Sequence, residues 1–220
     1  MDKEILVAKF TKGEDIFSMV THIVGAVVAI AGLTLGVIFS SINFNGYSLA
    51  SSIVFGVLMI IYYILSSVYH GLKPNTTGKN VFRRLDRCAM FLLVSGTYTP
   101  FILCLLREYN LVLGWLLFGL VWFLTICGIV FSVFDLKVFR ILSAVCYLGI
   151  AACVIFRIDL MFKLLTTLGF IIALIGIVLY LIGALINLIG RNKKWLHAVF
   201  HIFMVLGAST HIVCILLFVL

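Results

Sequence analysis

An all-α integral membrane protein, a seven-transmembrane helix bundle, is the fold class this sequence predicts. Three observations predict it. The 220 residues are 64% hydrophobic and only 11% charged, with a mean hydropathy of +1.28. The apolar runs reach the roughly 18 residues or more that a helix needs to cross a bilayer. The charges gather in short breaks between those runs. Lipid offers the backbone no hydrogen-bond partners, so each run must satisfy itself as a helix. One membrane domain, residues 1–220, takes up the whole length.

The spans are expected at about 16–40, 48–70, 86–106, 111–133, 138–156, 163–189 and 195–219. The first follows a segment mixing Lys3, Lys9 and Lys12 with Asp2, Glu4, Glu14 and Asp15. Its apolar run is too long for the core of a cleaved secretory signal, so it reads as a true span. The second ends in Ser66-Ser-Val-Tyr-His70. The third opens at Asp86 and contains Gly96-Thr-Tyr-Thr-Pro100, where the missing proline N–H should kink the helix or free a carbonyl. The sixth carries Gly169, Gly176, Gly183 and Gly190 at a spacing of seven, one slowly drifting stripe that lets a neighbouring helix approach closely. The seventh opens with Trp195-Leu-His-Ala-Val-Phe-His201. The six cysteines (Cys88, Cys104, Cys127, Cys146, Cys153, Cys214) lie inside spans or at their edges with no Cys-x-x-Cys, and are expected as free thiols.

The net charge of +8 raises the question of nucleic acid, and its placement answers against it. Thirteen of the 16 Lys and Arg residues fall in the N-terminal segment and the loops between spans two and three, four and five, and six and seven. Only Arg107, Arg157 and Lys163 fall on the other side. That asymmetry orients a membrane protein rather than building a phosphate-binding face. It puts the N-terminus in the cytoplasm and the C-terminus outside, in a multi-pass protein of the cell (plasma) membrane.

Orientation brings the polar residues together. His70 ends a span at the cytoplasmic face, Asp86 begins one there, and His197 and His201 begin another. His197 and His201 are four apart and share a helix face, as Ser66 and His70 do. Histidines inside a span face the protein interior or a water-filled cavity. Three neutral imidazoles (His70, His197, His201) with an open fourth position have the composition of a catalytic zinc centre. Asp86 is expected as the general base beside it, the only acid at the membrane edge well placed for that role. No Glu lies between His197 and His201, so this is not the His-Glu-x-x-His protease motif. The competing reading is an interior polar network or a proton path. His22, near the start of the first span, and His211, roughly 15 Å deeper than His201 at helical rise, are expected to hydrogen-bond within the bundle.

The ordered set Ser66-Ser-Val-Tyr-His70, Leu85-Asp86, Gly96-Thr-Tyr-Thr-Pro100 and His197-Ala-Val-Phe-His201, with His211 beyond, resembles the bacterial hemolysin III family. That family lies within the progestin and adiponectin receptor superfamily. The opening Glu14-Asp-Ile-Phe-Ser18-Met-Val-Thr21-His22 is similar to its first-helix motif, with Ser18 where the family usually has Asn. The resemblance implies seven helices with the N-terminus inside and a Zn2+ on His70, His197 and His201. It also implies Asp86 as the acid next to the metal's open position and Ser66 as the serine one turn before the first ligand. Ceramide-hydrolysing relatives make a lipid amide or ester the expected substrate, with membrane lipids as environment. Two other readings remain: a membrane-damaging hemolysin, and a metal-dependent sensor or transporter. A retinal Schiff base in the seventh span is excluded, because that span has no Lys.

Overall fold

The computed structural model describes residues 10–43, 45–134, 137–155, 157–190 and 193–220. Among them there is no strand. The helices are α1 (Lys12–Ile42), α2 (Gly46–Gly71), α3 (Thr77–Pro100), α4 (Arg107–Tyr109), α5 (Leu111–Val133), α6 (Lys137–Ile155), α7 (Ile158–Leu164), α8 (Thr167–Ile189) and α9 (Leu196–Phe218). A π-helical turn, Phe101–Leu106, joins α3 to α4. Among the described residues, six helical stretches are long and apolar enough to cross a membrane. The pair Ile141–Cys153 and Ile158–Leu164, bent by 43°, makes a seventh if it counts as one span.

Side-chain caps set several helix starts. Thr11 and Glu14 form a reciprocal capping box at α1. Asn45, Thr76, Asn110 and Thr166 accept backbone N–H groups at the starts of α2, α3, α5 and α8. The Thr76 cap explains why α3 begins at Thr77, well before the apolar stretch expected from residue 86. Its first turns are polar and run beyond the apolar part of the span. Likewise the expected run 163–189 is interrupted, because Thr166 starts a new helix after α7. Pro100 is followed at once by the π-helical turn, the local rewinding that a missing donor invites.

Sequential helices pack on one another: α1 on α2, α2 on α3, α3 on α5, α5 on α6 and α8 on α9. The ring closes where α9 lies against α1. Two apolar cores result. One, around Met59, Tyr62, Tyr63, Phe200, Met204 and Ile212, joins α1, α2, α3, α8 and α9. The other, around Phe91, Ile102, Val121, Ile150 and Leu160, joins α3, α5, α6 and α7. The glycine stripe of α8 is a packing seam, as its spacing predicts. A Cβ at Gly169, Gly176, Gly183 or Gly190 would meet Phe218, His211, Phe203 or Leu196, all on α9. Buried hydroxyl pairs link neighbours elsewhere: Ser40 with Ser52 at 3.0 Å, Ser132 with Ser143 at 2.9 Å, and Ser95 with Thr125. All six cysteines are unpaired. The ring of helices places the start of α1, the end of α2, the start of α3, the end of α8 and the start of α9 at one end of the bundle.

Candidate metal centre

That end holds four imidazoles. His22 comes from α1, His70 from α2, and His197 and His201 from α9. His22, His70 and His201 are 0%, 3% and 2% exposed, and His197 is half-buried. One nitrogen from each of His22, His70 and His201 lies within 4.8 Å of the other two, so this buried group could hold a metal ion. His197 joins through its helix neighbour. Its Nε2 is 3.0 Å from His201 Nε2, and its ring centroid is 5.5 Å from that of His70.

Each of three rings has its Nδ1 occupied by a different outer group. His70 Nδ1 lies 2.9 Å from Asp15 Oδ1, His197 Nδ1 is 3.0 Å from Asn187 Oδ1, and His201 Nδ1 is 2.7 Å from His22 Nε2. His70 Nε2 is buried without a protein hydrogen-bond partner. Phe10 closes the end of the cluster, stacked on His197 with centroids 4.4 Å apart. Tyr62 and Tyr63 wall in His22, and Tyr69 lies 4.6 Å from His70.

Backbone anchoring explains how α1 and α9 keep this register. Trp195 takes a left-handed φ of 68° ahead of α9 and supplies no side-chain cap of its own. Its N–H donates to Glu14 Oε1 at 2.5 Å. The other Glu14 oxygen accepts from the backbone and hydroxyl of Thr11 at 2.7 and 2.6 Å. One carboxylate therefore caps two helices and sets His197, two residues on, against His70. Asp15 is held in turn by Lys79 of α3, whose Nζ donates to Asp15 Oδ2 at 2.6 Å and to Leu72 O at 3.1 Å.

The two residues expected to do chemistry border this group. Ser66 is fully buried one turn before His70. Asp86 lies next to Ser66 and within electrostatic reach of His70. Its Oδ1 is also enclosed. The expectation that Asp86 is the only acid placed at this depth is corrected. Asp15, assigned by sequence to the segment before the first span, is buried and bonded to His70. Sequence reasoning also passed over Asn187 and Lys79. A usable signal existed for Asp15, which with Ser18 and His22 forms an i, i+3, i+7 row on one face of α1.

His22 hydrogen-bonds within the bundle, as expected, but to another member of the cluster. His211 sits apart, its Nδ1 donating to Gly207 O at 2.8 Å and its ring stacked on Tyr180.

Known proteins bear on this arrangement. A family model described as "Haemolysin-III related" matches residues 10–212. The chain is 33% identical over 219 residues to "Hemolysin-3" of Bacillus cereus, covering 100% of this chain and 97% of that protein. It is 31% identical over 209 residues to a "Hemolysin-3 homolog" of Bacillus subtilis (strain 168), covering 95% of this chain and 96% of that protein.

Proposed function

The chain belongs to the haemolysin-III related family, and from that premise we propose a zinc-dependent intramembrane hydrolase of lipid amides or esters. It is a single domain of seven spans in the plasma membrane, with its N-terminus in the cytoplasm. The ligands are His70, His197 and His201. One observation carries this choice: the acceptors Asp15 Oδ1 at His70 Nδ1 and Asn187 Oδ1 at His197 Nδ1 leave the Nε2 of those two rings to present a lone pair, and His201 Nε2 faces His197 Nε2. Two nitrogens on one tetrahedral zinc sit roughly 3.3 Å apart at bond lengths of about 2.0–2.1 Å. The 3.0 Å between the Nε2 atoms of His197 and His201 is close to that.

Neutral imidazoles in a buried site suit zinc. The buried Ser66 and Asp86, side by side near His70, suit a centre with one open position. A zinc ion held there supplies a Lewis acid that polarises a carbonyl and acidifies water. Asp86 takes a proton from the attacking water and returns it to the leaving nitrogen or oxygen. Ser66 orients Asp86 or donates to the carbonyl oxygen as it gains charge. Acyl chains reach the site sideways from lipid, between helices.

Purified protein should carry about one zinc per chain by elemental analysis and cleave some member of a lipid-amide and ester panel. His197→Ala should lose both properties. Stoichiometric zinc without turnover of any panel member would sink the hydrolase, and metal-free protein would sink the centre itself. The relatives' names favour cytolysis as the second reading. Lysis of erythrocytes by wild type and His197→Ala alike would support it, since a hydrolytic origin requires the metal.

A further inference from the structure

We infer that His22, Asp15 and Asn187 are positioning residues: Asp15 and Asn187 hold His70 and His197 with the proton on Nδ1 and the lone pair on Nε2, and His22 takes the Nδ1 hydrogen bond of His201 when its Nε2 binds a cation. The inference rests on the ligand assignment above and extends it to residues outside that set. A neutral imidazole has one N–H and one lone pair, and the hydrogen bond at one nitrogen decides what the other can do. Asp15 Oδ1 and Asn187 Oδ1 can only accept, so His70 Nδ1 and His197 Nδ1 must donate to them.

His22 completes the pattern for His201. When His22 Nε2 accepts from His201 Nδ1–H, His201 Nε2 is free to bind a cation. Without a cation, two Nε2 lone pairs 3.0 Å apart repel, and His201 Nε2 must instead carry the proton and donate to His197. His22 then becomes the donor to His201 Nδ1. A cation on His201 Nε2 would leave His201 and His22 each protonated at Nδ1, the latter a buried nitrogen without a protein acceptor. Lys79 holds Asp15 in place through the 2.6 Å contact to its second oxygen. Three different outer groups on two helices, α1 and α8, thus serve three rings on α2 and α9.

The test uses the full chain in detergent, with Zn2+ in chelator competition and Co2+ as a visible-absorbing substitute. His22→Leu and Asn187→Leu should each retain one metal per chain but bind it about 10–100-fold more weakly. The Co2+ ligand-field bands should shift in both. His22→Gln and Asn187→Asp keep an acceptor in place and should restore affinity to within a few-fold of wild type. A purely structural role would show no such rescue. Asn187 is half-buried at the end of α8, so its variants keep the test open should His22→Leu fail to fold.

Wild-type affinity and an unchanged Co2+ spectrum in both Leu variants would overturn the inference. So would a complete loss of metal in His22→Leu together with retention in His197→Leu, which would make His22 a ligand. Retention of wild-type affinity by His197→Leu alone strikes the ligand assignment instead, so the two failures are distinguishable.

Discussion

Two histidines of α9, His201 and His211, are both almost fully buried, yet the structure uses them in opposite ways. His201 spends both ring nitrogens on other imidazoles, from α1 and from its own helix. His211 satisfies Nδ1 on its own backbone, at Gly207 O, and presents its faces to Tyr180 and to the Gly176 notch of α8. The first histidine belongs to a group of buried imidazole nitrogens that could hold a metal ion. The second belongs to a packed interface that is complete as it stands. Burial alone does not separate a ligand from a structural histidine inside a membrane bundle. The destination of the second nitrogen does.

Substitutions break that comparison in graded ways. The largest effect is expected from His201→Ala, which should abolish bound metal and any hydrolysis, while His211→Ala keeps about one metal per chain. Elemental analysis of both variants reads the difference. Asp86→Asn should next separate holding the ion from using it. Metal content stays near wild type, and turnover on a lipid amide or ester falls by about 10²–10⁴-fold, the range of a lost general base.

His211→Ala should show its cost in stability. Loss of the Tyr180 stack and a cavity beside Gly176 predict about 2–4 kcal/mol, measured by denaturation in detergent. Gly176→Ala drives a methyl into the His211 ring and should cost about 1–3 kcal/mol, with metal content unchanged. The smallest effect is expected at Glu14→Gln. It weakens the shared cap on α1 and α9 by about 1 kcal/mol, visible as a lower unfolding temperature.

Much of this could be read before the structure, for physical reasons. A bilayer forces long apolar runs into helices, so their existence and order follow from hydropathy. Short connections then fix which helix ends share a face of the bundle, which is enough to bring His70, Asp86, His197 and His201 to one depth. The i, i+4 spacing placed His197 beside His201 and Ser66 beside His70. Rotation between helices is different, because spacing within one span shows which residues share a face and not what that face meets. Asp15 and Asn187 were therefore missed. Each sits at the edge of a span, where polar residues are ordinary, and only the packing of α1 on α2 and of α8 on α9 aims them at rings. The early start of α3 was missed for a related reason. Its first turns carry Lys79, Arg83 and Arg84, which read as loop charge by hydropathy, although Thr76 offered a cap. Glu14 combined both problems, since its partner at Trp195 lies 181 residues away.

X-ray absorption at the zinc edge of the purified protein, compared with His197→Ala, most directly tests whether imidazoles from α2 and α9 grip one ion. The account predicts three imidazole nitrogens and one further light atom at about 2.0–2.1 Å in the wild type, with the signal gone in the variant. A wild-type spectrum without imidazole scattering, or one that His197→Ala leaves unchanged, would contradict it.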